Sequence, residues 1–134
     1  MKIAVASDDG KAISRHFGRA PYYLVFTIDE DNIVGKERRE KPGHQQFAHE
    51  HHDHHAHEHE LGHGFGTHSA EHHTQMIEPI RDCDAVIVRG MGRGAYHAMQ
   101  QANIHPILTE IEDAEEAVHA FIDSTLVDHP ELLH

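Results

Sequence analysis

Residues 84–109 read "DAVIVRGMGRGAYHAMQQANIHPILT", and the order of patterns in this stretch decides the fold. "DAVIVR" (84–89) is a short apolar, β-branched run of the kind that makes a strand buried on both faces. Three glycines follow, and then Ala95, Ala98, Met99 and Ala102 recur at helical spacing and form one apolar face. "HPILT" (105–109) is the next strand. A strand, a helix and a strand in so few residues make a crossover unit, which predicts parallel strands joined with right-handed connectivity.

The pattern continues on both sides. Downstream, Ala114, Ala117, Val118, Phe121 and Ile122 follow the i, i+3, i+4, i+7, i+8 spacing of an amphipathic helix, with Asp113 and Glu116 placed like a capping box. Upstream, "KIAVA" (2–6) predicts a buried first strand that stops at the turn "SDDG". "YYLVFTI" and "NIVGKERRE" flank "DEDN" and predict a hairpin, its first arm central and its charged second arm at a sheet edge. Part of 70–82 is expected to be helical, with Pro79 either kinking the helix or sitting in its first turn. The fold class is α/β, a mixed sheet covered by helices.

Between these elements the composition changes abruptly. Residues 44–73 hold twelve of the eighteen histidines, few apolar side chains and no hydrophobic period. A low-complexity insertion over about 42–74 therefore interrupts a single domain covering 1–134. Neutral imidazoles bind zinc, nickel, copper and iron. His49, His51, His52, His54, His55, His57, His59 and His63 are the expected ligands of a divalent-metal-collecting arm, with Glu50, Asp53, Glu58 and Glu60 as added carboxylates. Pairs four apart (His51/His55, His55/His59) fit a helix face, whereas His55, His57 and His59 alternate as on a strand, so the spacing selects no geometry.

The balance of 11 Lys+Arg against 23 Asp+Glu, a formal charge of −12, has the wrong sign for general nucleic-acid binding. With Cys83 as the only cysteine, neither an intrachain disulfide nor a four-thiolate cluster cage can form within one chain. The apolar run at 3–6 is too short for a signal-peptide core and none reaches membrane-spanning length, so the cytoplasm is the expected location.

Two turns carry candidate chemistry. In "VRGMGRGAYH", Gly90, Gly92 and Gly94 permit unusual backbone angles and close approach by a ligand. The helix that follows presents free N–H groups to an anion, and Arg89, Arg93 and His97 add charge. "GMGRGA" also satisfies G-x-G-x-x-A, with Glu110 twenty residues after Gly90, but the short domain opening with a hairpin leaves little room for a dinucleotide. In "SRHFGRAPYY", Arg15, His16 and Arg19 place three potential cations in five residues. Both turns follow strands expected to be parallel neighbours, so both should open at one end of the sheet. No catalytic constellation is present. Asp8 and Asp9 in "SDDG" suit local backbone hydrogen bonding, and Cys83 suits a small buried side chain.

"MKIAVASDDGKAISRHFGRAPYYLVF" and "DCDAVIVRGMGRGAYHAMQQANIHPIL" together resemble the dinitrogenase iron–molybdenum cofactor biosynthesis family, the NifX-like proteins. The resemblance covers nearly the whole chain apart from the insertion. It implies a three-layer α/β/α, ribonuclease-H-like fold with a five-stranded mixed sheet. It also implies non-enzymatic binding or carriage of metal–sulfur clusters of iron and/or molybdenum, with cluster-donor or acceptor proteins as partners. By resemblance, His16, Phe17 and Gly18 match the family's HFG segment, and Gly90, Met91 and Gly92 its glycine turn. Such a cluster is a large anion that backbone N–H groups, Arg and His can hold. Arg15, His16, Arg19, Arg89, Arg93 and His97 are the expected contacts, with Cys83 a lower-ranked thiolate ligand. The alternative is a divalent-metal storage or buffering protein in which the domain only displays the His-rich run.

Overall fold

The computed structural model describes residues 1–41 and 74–133. Five strands, β1 (Lys2–Ser7), β2 (Tyr22–Asp29), β3 (Asn32–Glu40), β4 (Ala85–Val88) and β5 (His105–Leu108), form one mixed sheet in the order β3-β2-β1-β4-β5. β1, β4 and β5 run parallel, and β2 and β3 are antiparallel to their neighbours. The crossover unit therefore pairs as its sequence requires. Pro106 lies in β5, an edge strand, where a missing N–H is least disruptive.

Side chains alternate across the sheet and divide the core in two. Ala4, Ala6, Val86 and Val88 face one side, beneath helix α1 (Arg93–Gln101) and its Ala95 and Met99. Ile3, Val5, Ala85 and Ile87 face the other, beneath helix α2 (Ala114–Ile122) and its Ala114, Ala117 and Val118. Helices thus cover both faces, as an interior strand apolar on both sides demands. The Asp113 side chain accepts a hydrogen bond from the Glu116 N–H at 2.9 Å, the N-cap half of the expected box.

The expected hairpin forms through a two-residue turn in which Glu30 and Asp31 take φ of 49° and 66°. Two successive left-handed residues match the strand twist. The "SDDG" turn performs its local role: the Asp9 carboxylate accepts from the N–H groups of Lys11 and Ala12, which holds its pKa below the ordinary carboxylate value. Gly10, at φ +86°, supplies the left-handed step. Residues 74–77 are helical and pass into a 3-10 turn at Glu78–Ile80 with Pro79 in its first positions, one of the two placements expected of that proline.

The flanks of the insertion are fastened together. Arg39 on β3 donates to both carboxylate oxygens of Asp82, at 2.7 and 3.1 Å, and to the Pro79 carbonyl at 2.7 Å. Lys2 adds a contact to Asp82 at 3.1 Å. The guanidinium holds the Asp82 carboxyl well below the usual range. Asp82 is half-exposed, so screening limits the gain, and Arg39→Ala should cost about 1–2 kcal/mol in urea unfolding at neutral pH. A carboxylate with a depressed native pKa stabilises the fold above its ordinary pKa and loses that contribution as acid titrates it. The gap between parent and Arg39→Ala should therefore narrow below about pH 4.

Candidate functional site

Because β1 and β4 are parallel neighbours, the chain leaves both at the same end of the sheet. The turn after β1 returns to the sheet: the Ser14 N–H donates to the Ala6 carbonyl, and the Phe17 N–H donates to the Gly90 carbonyl at 3.3 Å. This last bond joins the HFG segment directly to the glycine turn. Phe17 is buried against Tyr23, which leaves the neighbouring Arg15, His16 and Arg19 exposed.

A cavity of about 630 Å³ opens at this end, lined by Arg15, Arg89, Gly90, Thr109, Glu110, Glu131, Leu132 and Leu133. A larger one, about 720 Å³, lies toward the amino ends of β1 and β5 and is lined by neither turn, so its size does not make it the better candidate. The C-terminal segment completes the smaller cavity. The His129 N–H donates to the Leu108 carbonyl at 2.8 Å, the Asp128 carboxylate accepts from the Leu108 N–H at 2.9 Å, and Leu133 bridges to Met91. The lining thus carries two guanidinium groups and two carboxylates. The cradle is bipolar rather than uniformly positive.

Glu110, His129 and Glu131 bring one potential ligand atom each to within 4.8 Å of one another. His129 Nδ1 lies 2.9 Å from Glu131 Oε2.

Residues 1–124 match the dinitrogenase iron–molybdenum cofactor family. The chain belongs to that family. This member of the iron–molybdenum cofactor family is 26% identical over 126 residues to the uncharacterized protein MJ0580 of Methanocaldococcus jannaschii, across 94% of this chain and 89% of that one. Its fold is shared with the crystal structure of PH0822, at a TM-score of 0.67 and 18% identity over 98% of this chain and 99% of that one. It is shared equally with the apo orange protein of Desulfovibrio gigas, at a TM-score of 0.64 and 18% identity over 96% and 92%. Identities this low carry the fold alone.

Within this family member the expected site residues separate. Arg15, Arg89 and Gly90 meet in the cavity. His16 and Arg19 are exposed beside it on the same turn. Met91 is 1% exposed and packs into the core, so any contact it offers the cavity comes from backbone. Gly92 is the N-cap of α1, and a Cβ built on it would meet nothing within 4 Å. Among the described glycines only Gly10 takes positive φ, so Gly90, Gly92 and Gly94 do not supply the unusual angles expected of them.

Arg93 is exposed and does not line the cavity, and His97 lines a different hollow with Thr74, Ile77 and Arg81. The two do not converge there with Arg15. Cys83 lies at the amino end of β4, the end away from Gly90, and burial pushes its thiol up to about 12. Such a thiol stays protonated at neutral pH and is a poor ligand. His49, His51, His52, His54, His55, His57, His59 and His63 lie outside the described residues. Sequence reasoning missed Thr109, His129, Glu131, Leu132 and Leu133 as cavity or ligand residues. No helix among the described residues is long and apolar enough to cross a membrane.

Proposed function

We propose that this chain binds and carries a metal–sulfur cluster of the iron and/or molybdenum type, or its precursor, without catalysing a reaction on it. The observation that carries this reading is the convergence of Arg15 and Arg89 on one cavity, from two turns joined by the Phe17–Gly90 hydrogen bond, in a family matched over residues 1–124. A sulfide-rich cluster is anionic at its surface and cationic at its metals. Guanidinium groups suit the first, and the carboxylates and imidazole suit the second. The orange protein supports the fold of the reading, not its cargo. The strand order and directions support a ribonuclease-H-like assignment.

In this proposal the His-rich arm collects divalent zinc, nickel, copper or iron. Cluster-donor and acceptor proteins are the partners, and the cytoplasm is the setting. Anaerobic reconstitution with iron and sulfide or with thiomolybdate tests it, comparing the intact chain with one lacking residues 44–73. The deletion should remove most stoichiometric divalent-metal uptake while a coloured cluster is still retained. Loss of both on deletion would replace the carrier by a storage protein that uses only the arm.

A further inference from the structure

We infer that Glu110, His129 and Glu131 form a binding site for one divalent transition-metal ion on the wall of the cavity, distinct from the His-rich arm. The three side chains come from two segments that the sequence separates but the fold fastens together. Glu110 follows Thr109, whose N–H donates to the Val88 carbonyl, and His129 is held by its own N–H on the Leu108 carbonyl. The 3-10 turn Pro130–Leu132 then sets the Glu131 side chain beside the His129 ring. The backbone carrying the ligand set is therefore fixed before any ion arrives, which lowers the ordering cost of binding.

The charges point the same way. Glu110 and Glu131 present carboxylate oxygens within 4.8 Å of each other, and no Lys or Arg forms an ion pair with either among the described residues. Arg15 and Arg89 line the same cavity but make no ion pair with them. Two carboxylates and an imidazole are a common ligand set for zinc and for manganese or iron in the divalent state. Glu110 and Glu131 are exposed, so small rotations bring their oxygens to the roughly 2 Å that such ions require. Three protein ligands leave a coordination position free, and Glu110 and Glu131 of the set line the cavity. Thr109, 2% exposed, also lines the cavity; its hydroxyl oxygen accepts from the Ile111 N–H.

This site does not depend on cluster carriage, because the probe is the ion alone. Mn(II) discriminates it from the histidine tract, since carboxylate oxygens favour manganese and imidazole-rich segments favour later metals. Mn(II) titrated into the full chain should broaden the amide signals of Leu108, Glu110, Glu131 and Leu132 before those of β2 or β3. Glu110→Gln should weaken that binding at least tenfold without changing the melting temperature, because the side chain is exposed and unpaired among the described residues. His129→Ala should weaken it similarly, with the Leu108 amide shift reporting whether the C-terminal segment stays docked. Arg15→Ala combined with Arg89→Ala should leave Mn(II) binding intact, which separates a failure here from a failure of the carrier reading. Broadening elsewhere in the chain, or an unchanged affinity in Glu110→Gln, overturns the site.

Discussion

Changing Arg15 and Arg89 together to Ala should lower the affinity of the chain for tetrathiomolybdate by about a hundredfold. Each charge-assisted hydrogen bond from a guanidinium to an anion contributes roughly 1.5–3 kcal/mol. Two lost together come to roughly 3–6 kcal/mol, and the lower end, which suits partly solvent-screened groups, is about a hundredfold at 1.4 kcal/mol per tenfold. Either single replacement should give about a tenfold loss by the same arithmetic. The effect should shrink in high salt, because the site opens to solvent and its charges are screened. Folding should be indifferent: Arg15 is exposed, and neither arginine forms an ion pair among the described residues. Visible absorption after equilibrium dialysis measures the loss, and a melting curve confirms that the fold is intact. An affinity within threefold of the parent would mean that the anion is held elsewhere.

The second large effect is on stability and concerns Lys41. This side chain is 3% exposed, its ammonium has no hydrogen-bond partner among the described residues, and it lies 4.6 Å from the centre of the Phe17 ring. Burial pushes its pKa down to about 8. Below pH 8 the native and unfolded chains both hold the proton, so the cost of burying the charge is constant. Between pH 8 and the ordinary lysine value near 10.4, the unfolded chain holds more protons than the native one. Stability must therefore rise with pH through that window, by up to about 3 kcal/mol. Lys41→Met removes the buried charge, offset in part by loss of the cation–π contact, and should stabilise the fold by about 2 kcal/mol at pH 7. Urea unfolding at pH 7 and pH 10 should show that advantage large at the first and small at the second. Equal stability of the two chains at pH 7 would show that the ring and its surroundings compensate the ammonium fully.

The elements that were legible in the sequence are those whose signal is local. The continuous apolar run at 85–88 and the helical spacing at 95–102 and 114–122 each report which faces must be buried, and the strand and both helices appear there. The hairpin followed from "DEDN" because two residues between strands demand left-handed backbone, which acidic and amide residues tolerate better than most. The glycine turn was less transparent. Its glycines suggest unusual angles, yet Gly90, Gly92 and Gly94 do not take positive φ. Pro79, read from the sequence as a kink or a first-turn residue within 70–82, sits in the first positions of the 3-10 turn that follows the helical residues 74–77.

The site divides along the same line. Arg15 and Arg89 could be paired from sequence because parallel neighbouring strands release their chains at the same end of a sheet. His97 could not be placed, since whether it reaches that end depends on the direction its helix faces, whereas chain order alone puts Cys83 ahead of β4 and away from Gly90. Glu131 and His129 gave no signal at all. A histidine and a glutamate two apart after a proline-broken segment look like any polar tail.

What the amino-acid order determined by itself is the α/β architecture, the edge role of β3, and the end of the sheet where the two turns open, because periodicity and strand direction are properties of neighbouring residues. What only the tertiary structure decided is the composition of the cavity. The C-terminal segment docks through bonds to Leu108 and Met91, and those bonds bring His129 and Glu131 beside Glu110, at the cavity that Arg15 and Arg89 also line. Contacts between residues so far apart in the chain depend on how packed layers close against each other, which no local pattern encodes.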